Sequence, residues 1–185
     1  LHRRRHSFPT RRSSDLSVAA ATSSVTGSIA DNVLTVTAVG SGTVRPGTTI
    51  SGTGVASGTK IVSQILPLAS GEALGGIGRY AVSIPEQIVA STTISGTYGI
   101  LTVGGTVAGT FYVGAPISGT NVVAGTVITQ QISGTTGGAG TYAVDNNTAV
   151  SSTAISAGTN VETKWYARSS GLNGELVKIS DQVLG

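Results

Sequence analysis

Val33-Leu34-Thr35-Val36 returns 67 residues later as Ile100-Leu101-Thr102-Val103, and the match continues in order along the chain. Ile50-Ser51-Gly52-Thr53 answers to Ile117-Ser118-Gly119-Thr120, and Gly58-Thr59-Lys60-Ile61 to Gly125-Thr126-Val127-Ile128, at the same offset. Gly75-Gly76-Ile77-Gly78-Arg79-Tyr80-Ala81-Val82 then matches Gly137-Gly138-Ala139-Gly140-Thr141-Tyr142-Ala143-Val144 at an offset of 62. Ser91-Thr92-Thr93-Ile94-Ser95 closes the series against Ser152-Thr153-Ala154-Ile155-Ser156. Five extra residues therefore sit in the first copy within Leu66–Leu74, a stretch that reads as a longer loop. Whatever one copy folds into, the other is expected to fold into as well.

The copies are β in character. Thr, Val and Ile suit a pleated, half-buried surface, and the 27 glycines break any long helix. β-branched residues recur throughout, which separates this composition from that of a disordered chain. In the first copy Leu34, Val36 and Ala38 alternate with Thr35 and Thr37, the period of a strand with one buried face. Arg45-Pro46-Gly47 predicts a turn, Thr48–Ser51 a strand, and Gly52-Thr53-Gly54 a second turn. Ile61, Ser63 and Ile65 mark another strand, Tyr80, Val82 and Ile84 the next, and Ser91–Ser95 the last. At roughly 60–69 residues a copy is small for independent stability. The two copies are expected to pack together, or each to be completed by a neighbouring subunit.

Beyond Thr159 the composition changes. Val161-Glu162-Thr163-Lys164-Trp165-Tyr166-Ala167-Arg168, the turn Ser169–Gly174 and Glu175-Leu176-Val177-Lys178-Ile179-Ser180 predict a β-hairpin with opposite charges facing across it. The fold class expected is all-β: two tandem small β-barrel or β-sandwich modules plus a C-terminal β-hairpin. The division is residues 17–26 as a linker, 27–95 and 96–158 as the repeats, and 159–185 as the hairpin.

Residues 1–16 stand apart. Back-translated, His6 to Leu16 resembles one reading frame of a widely used short-read sequencing adapter, and Leu1-His2 fits the adapter stretch just upstream. The segment is set aside as an assembly artefact, expected to be disordered, with the natural N-terminus expected to be missing. It holds both histidines, five of the eleven basic residues and one of the eight acidic ones. Without it six basic and seven acidic residues remain, so the sequence pI near 9.5 offers no argument for nucleic-acid binding.

The remaining chain has no His, Cys or Met, which removes Ser-His-Asp hydrolysis, thiolate chemistry and the commonest metal ligands. Its acids, Asp31, Glu72, Glu86, Asp145, Glu162, Glu175 and Asp181, are far apart in sequence. A carboxylate-only glycosidase would need two of them within about 5–10 Å. No catalytic residue, cofactor or metal is expected, and no run approaches the roughly 20 apolar residues of a membrane span.

Three features carry tempting alternatives. Gly75-Gly76-Ile77-Gly78 and Gly137-Gly138-Ala139-Gly140 look like phosphate loops, but a strand follows each where a phosphate site needs a helix N-terminus. Asp145-Asn146-Asn147 offers oxygens to Ca²⁺ but only one carboxylate, and reads as a turn. The Thr- and Ser-rich strand faces near Tyr98, Tyr112 and Tyr142 suit carbohydrate, and equally suit solvent.

The repeat, read as Leu-Thr-Val, Ile-Ser-Gly-Thr, Gly-Thr-x-Ile, Gly-Gly-x-Gly-x-Tyr-x-Val and Ser-Thr, resembles modules in structural proteins of tailed bacteriophages. The ending Thr163-Lys164-Trp165 with Gly174–Ser180 is similar to C-termini of phage and prophage proteins. The resemblance implies a non-enzymatic, tail- or capsid-associated virion protein that acts through subunit assembly or host-surface contact. Implied partners are other virion proteins, further copies of the chain and a host-surface glycan, with neither nucleic acid nor membrane. Trp165 and Tyr166 are the expected assembly anchor. A fragment of a secreted bacterial adhesin or carbohydrate-binding protein is the alternative.

Overall fold

The computed structural model of the protein describes residues 16–104, 109–158, 166–168 and 176–178. These form strands β1 (Leu16–Asp31), β2 (Val33–Ser41), β3 (Thr49–Gly52), β4 (Ile61–Gln64), β5 (Gly78–Val82), β6 (Gln87–Val103) and β7 (Ile117–Gly119). They continue as β8 (Ile128–Gly134), β9 (Gly140–Val144), β10 (Val150–Thr153), β11 (Ile155–Ala157), β12 (Tyr166–Arg168) and β13 (Leu176–Lys178). The molecule is all-β. Nine strands make one large, curled antiparallel sheet in the order β4-β5-β2-β1-β6-β9-β8, with β10 on β1 and β3 on β6. Two small antiparallel sheets, β7 with β11 and β12 with β13, complete the pairing.

The sequence repeat is repeated residue for residue in the register. Val33, Leu34, Thr35 and Val36 face Ala81, Tyr80, Arg79 and Gly78, just as Ile100, Leu101, Thr102 and Val103 face Ala143, Tyr142, Thr141 and Gly140. Ile61, Ser63 and Gln64 oppose Val82, Ala81 and Tyr80, and Ile128, Gln130 and Gln131 oppose Val144, Ala143 and Tyr142. Ile50, Ser51 and Gly52 on β3 face Gly96, Ser95 and Ile94, while Ile117, Ser118 and Gly119 on β7 face Ala157, Ser156 and Ile155. The isolated bridges Thr49 to Lys60 and Pro116 to Val127 match too.

Each copy buries its own apolar cluster. Leu34, Val36, Val44, Ile50, Ile61, Tyr80, Val82, Val89 and Ile94 lie in the first. Their counterparts Leu101, Val103, Phe111, Ile117, Ile128, Tyr142, Val144, Val150 and Ile155 lie in the second. The clusters form because period-2 alternation places every second side chain of a strand on one face.

Three expectations differ from this arrangement. Residues 17–26, expected as a linker, are strand: they belong to β1. Leu16, assigned to the excluded segment, begins that strand and is 2% exposed. Ser91–Ser95, expected as a strand closing the first copy, does not end there as a strand: β6 runs on through Gly96 to Val103 without a turn. Buried residues run on across that point, from Ile94, Gly96 and Tyr98 to Gly99, Leu101 and Val103, and the buried face changes between Tyr98 and Gly99 while the strand continues. Instead of two sheets joined by a linker, β1 and β6 pair from Ser17 with Thr102 to Asp31 with Gln87 and unite both copies. At the C-terminal end, Tyr166, Ala167 and Arg168 pair with Lys178, Val177 and Leu176 as an antiparallel ribbon, on the strands expected of the hairpin.

Candidate assembly site at the junction of the copies

The second copy has no first strand of its own. In the first copy, the C-terminal half of β1 lies between β2 and β6: Ile29 faces Leu34 on one side and Val89 on the other. The equivalent pair in the second copy is Leu101 on β6 and Val150 on β10, and between them lies Val18. The segment that should fill this slot by sequence offset is the N-terminal half of β6, already engaged as the last strand of the first copy. β1 therefore serves both copies, its C-terminal half the first and its N-terminal half the second. Leu16 and Val18 join the second cluster, and Val25 and Ile29 the first.

The crossover lies at Ser23, which faces Gly96. A Cβ at Gly96 would stand 2.6 Å from the Thr48 methyl group, so the close approach of β6 to the β3 turn requires glycine there. Ser23 and Thr48 are both buried.

Polar side chains tie the copies together beside this crossing. Lys60 Nζ donates to Asp145 Oδ2 at 2.9 Å, and an Arg45 terminal guanidinium nitrogen donates to Gln130 Oε1 at 2.8 Å. Gly47, at φ 81°, lies so near the Thr129 side chain that a Cβ would overlap it. Asp145 also caps a turn, since its Oδ1 accepts the Val127 N–H at 2.9 Å. Ser83 Oγ accepts the Lys60 N–H at the equivalent place in the first copy. The carboxylate thus replaces a turn-capping hydroxyl and adds a bond to the other copy. Three buried atoms here, Arg45 Nε, Thr48 Oγ1 and Thr129 Oγ1, have no protein hydrogen-bond partner.

The glycine-rich motif is a locked turn in both copies. Tyr80 Oη donates to the Gly76 carbonyl and Tyr142 Oη to the Gly138 carbonyl, each at 2.7 Å. Gln64 donates to the Ala73 carbonyl and accepts from the Gly75 N–H, while Gln131 does the same with Thr135 and Gly137. Gly75 and Gly137 adopt φ 66° and 67°, which a side chain resists. Their strand context leaves no helix N-terminus for a phosphate.

In the longer loop of the first copy, Glu72 accepts from Arg79 Nε at 3.0 Å and from the Ala69 N–H at 2.7 Å. Those two donors hold its carboxyl below the usual range. Burial, reinforced by the Glu72 charge, pushes the Tyr80 phenol up to about 12, and burial raises Tyr142 as well.

The remaining candidates are placed as follows. Tyr98 and Tyr142 are buried, and Tyr112 is partly buried against the second cluster. Asp145 of the Asp-Asn-Asn turn is engaged by Lys60 and Val127. Among the described residues, no three His, Cys, Asp or Glu side chains group as metal ligands, and no helix is long and apolar enough to cross a membrane. Trp165 lies outside the described residues. Tyr166 lies on β12, apart in sequence from the junction residues. Sequence reasoning missed Leu16, Val18, Lys60 and Asp145 as a group. Their only sequence signal was local: the Leu16, Val18 alternation, and Asp145 where the first copy has Ser83. Compared with protein-family models, curated proteins and solved structures, the chain matches none.

Proposed function

We propose that this chain is a non-enzymatic structural protein of a phage virion, tail- or capsid-associated, that acts through subunit assembly or host-surface contact. Its finer architecture is two tandem six-stranded β-barrels that share the strands β1 and β6. The bridges from Thr49 to Lys60 and from Pro116 to Val127 support closure of each barrel, since each brings β3 toward β4, and β7 toward β8. The observation that carries the functional reading is the use of polar chemistry at the junction. Lys60, Asp145, Arg45 and Gln130 join one copy to the other. Their arrangement suits a tandem unit that has to stay joined under force, and the sequence resemblance supplies the virion setting.

Long-read sequencing of the source locus through the start of this gene tests the proposal. Flanking portal, capsid or tail genes are expected, together with loss of the codons for residues 1–15. A signal peptide and neighbouring cell-surface genes would overturn the virion reading in favour of the adhesin. Survival of those codons as genomic DNA would make the basic segment part of the protein. On the adhesin outcome, a glycan array probed with the full chain would identify the ligand.

A further inference from the structure

We propose that the slot between β10 and β6 is a docking site for the N-terminal half of β1 from a second copy of this chain, so that copies join by exchanging residues 16–23. The inference deepens the assembly reading above and rests on it.

Four observations lead to it. The segment fills a place the second copy cannot fill for itself, between Val150 and Leu101. Its two inward side chains, Leu16 and Val18, are 2% and 5% exposed, so the slot is selective for an alternating apolar strand. No hairpin ties this half-strand to either neighbour: its only covalent route into the described molecule is through Ser23 and Ser24 at the crossover. The β1–β2 register shifts between Ser24 and Val25, so the ladder is already irregular where a hinge is required.

Exchange preserves the pairings and buried side chains of residues 16–22 and breaks the ladder only at the hinge, where Ser23 and Ser24 face Gly96 and Ser95. Only the source of the strand changes, from the same chain to a neighbour, which is the general logic of domain swapping. The occupant is specified by fit. Leu16 faces Thr153 and Val18 faces Val150 across β10, and Ser17 and Val18 face Thr102 and Leu101 across β6. A reciprocal exchange closes a dimer, and a head-to-tail exchange continues into a filament.

The chain has no cysteine, so single thiols report the pairing directly. Ser17→Cys is placed in one tagged copy and Thr102→Cys in a second, differently tagged copy; the two positions are register partners. The copies are mixed, annealed at high concentration and oxidised. Exchange is expected to give a mixed disulfide at least about tenfold above that from Ser17→Cys with Ser63→Cys, because docking raises the effective thiol concentration. Ser63 is exposed and is no partner of Ser17. Equal yields from the two mixtures would overturn the proposal. Sedimentation of the annealed wild-type chain is the second measurement and needs no variant. A dimer or larger species that persists on dilution supports exchange, and a purely monomeric chain at every concentration overturns it. Failure here would leave the virion reading standing, since that reading is decided by the gene neighbourhood.

Discussion

At the scale of single residues, the two copies act as internal controls for each other. Thr48 is buried with an unpartnered hydroxyl, and its counterpart in the second cluster is Ala115, which has none. Thr48→Val keeps the shape and removes the orphaned group, so it is expected to stabilise the protein by about 1 kcal/mol. Equilibrium denaturation with an unchanged m-value checks this. Tyr80 gives a pH signature. Its folded pKa, about 12, lies above the ordinary value of 10.0, so its contribution to stability is fully present below about pH 10. That contribution is lost as pH rises through about 12. Ultraviolet titration of the folded chain is expected to show a late-ionising phenol that Tyr80→Phe removes. The glycine-rich motif, its tyrosine and its turn were legible from sequence. The glutamines that clamp that turn were not: Gln64 and Gln131 lie only 4 to 11 positions before their partners, but which strand side chain reaches back to the turn is decided by the pairing of β4 with β5 and β8 with β9.

At the scale of elements, β1 is the strand whose loss has the most specific effect. Val18→Asp places an unpaired carboxylate in the second cluster and is expected to cost several kcal/mol, on the order of 3 or more. Its effect should be local. Amide exchange is expected to accelerate first at Leu101, Val144 and Val150, while Leu34, Val82 and Val89 keep more of their protection. Equal loss in both copies would show instead that β1 and β6 make the copies one cooperative unit. The short strands β3, β4, β5, β8 and β9 were readable from alternation and turn residues. The length of β6 was not. Ser95-Gly96 looks like a place to turn, and only the approach of Thr48 explains why glycine is needed within a continuing strand.

At the scale of the whole molecule, the β1–β6 ladder joins the copies and the junction bonds add a small contribution to it. The Lys60–Asp145 pair is partly solvated, at 43% and 20% side-chain exposure, so the pair itself contributes at most about 1 kcal/mol and weakens with salt. Lys60→Met should therefore cost little. Asp145→Ala removes the cap on the Val127 N–H as well and should cost about 1 kcal/mol more. A double-mutant cycle at low and high salt separates the two contributions: the coupling energy should fall with salt, and the capping cost should not.

The sequence by itself determined that the chain is β, that its unit is written twice, and part of each core: Leu34, Val36, Ile61, Tyr80 and Val82 are buried as their alternation predicts, whereas Ala38, expected on the same face, is exposed. It could do so because alternation, turn chemistry and repetition are local properties that survive without knowledge of the partner strand. It also predicted a C-terminal hairpin on Val161–Arg168 and Glu175–Ser180, within which Tyr166–Arg168 and Leu176–Lys178 pair. Only the tertiary structure decided that residues 16–26 are strand, that β1 belongs to both copies, and that Lys60 meets Asp145 across 85 positions. The physical reason is that a strand is completed by hydrogen bonds to neighbours of any sequence distance. Two copies of one unit can share a strand when each core takes one of its two faces: Val18 and Val25 on β1, like Leu101 and Ile94 on β6, are an odd number of residues apart and so face opposite ways.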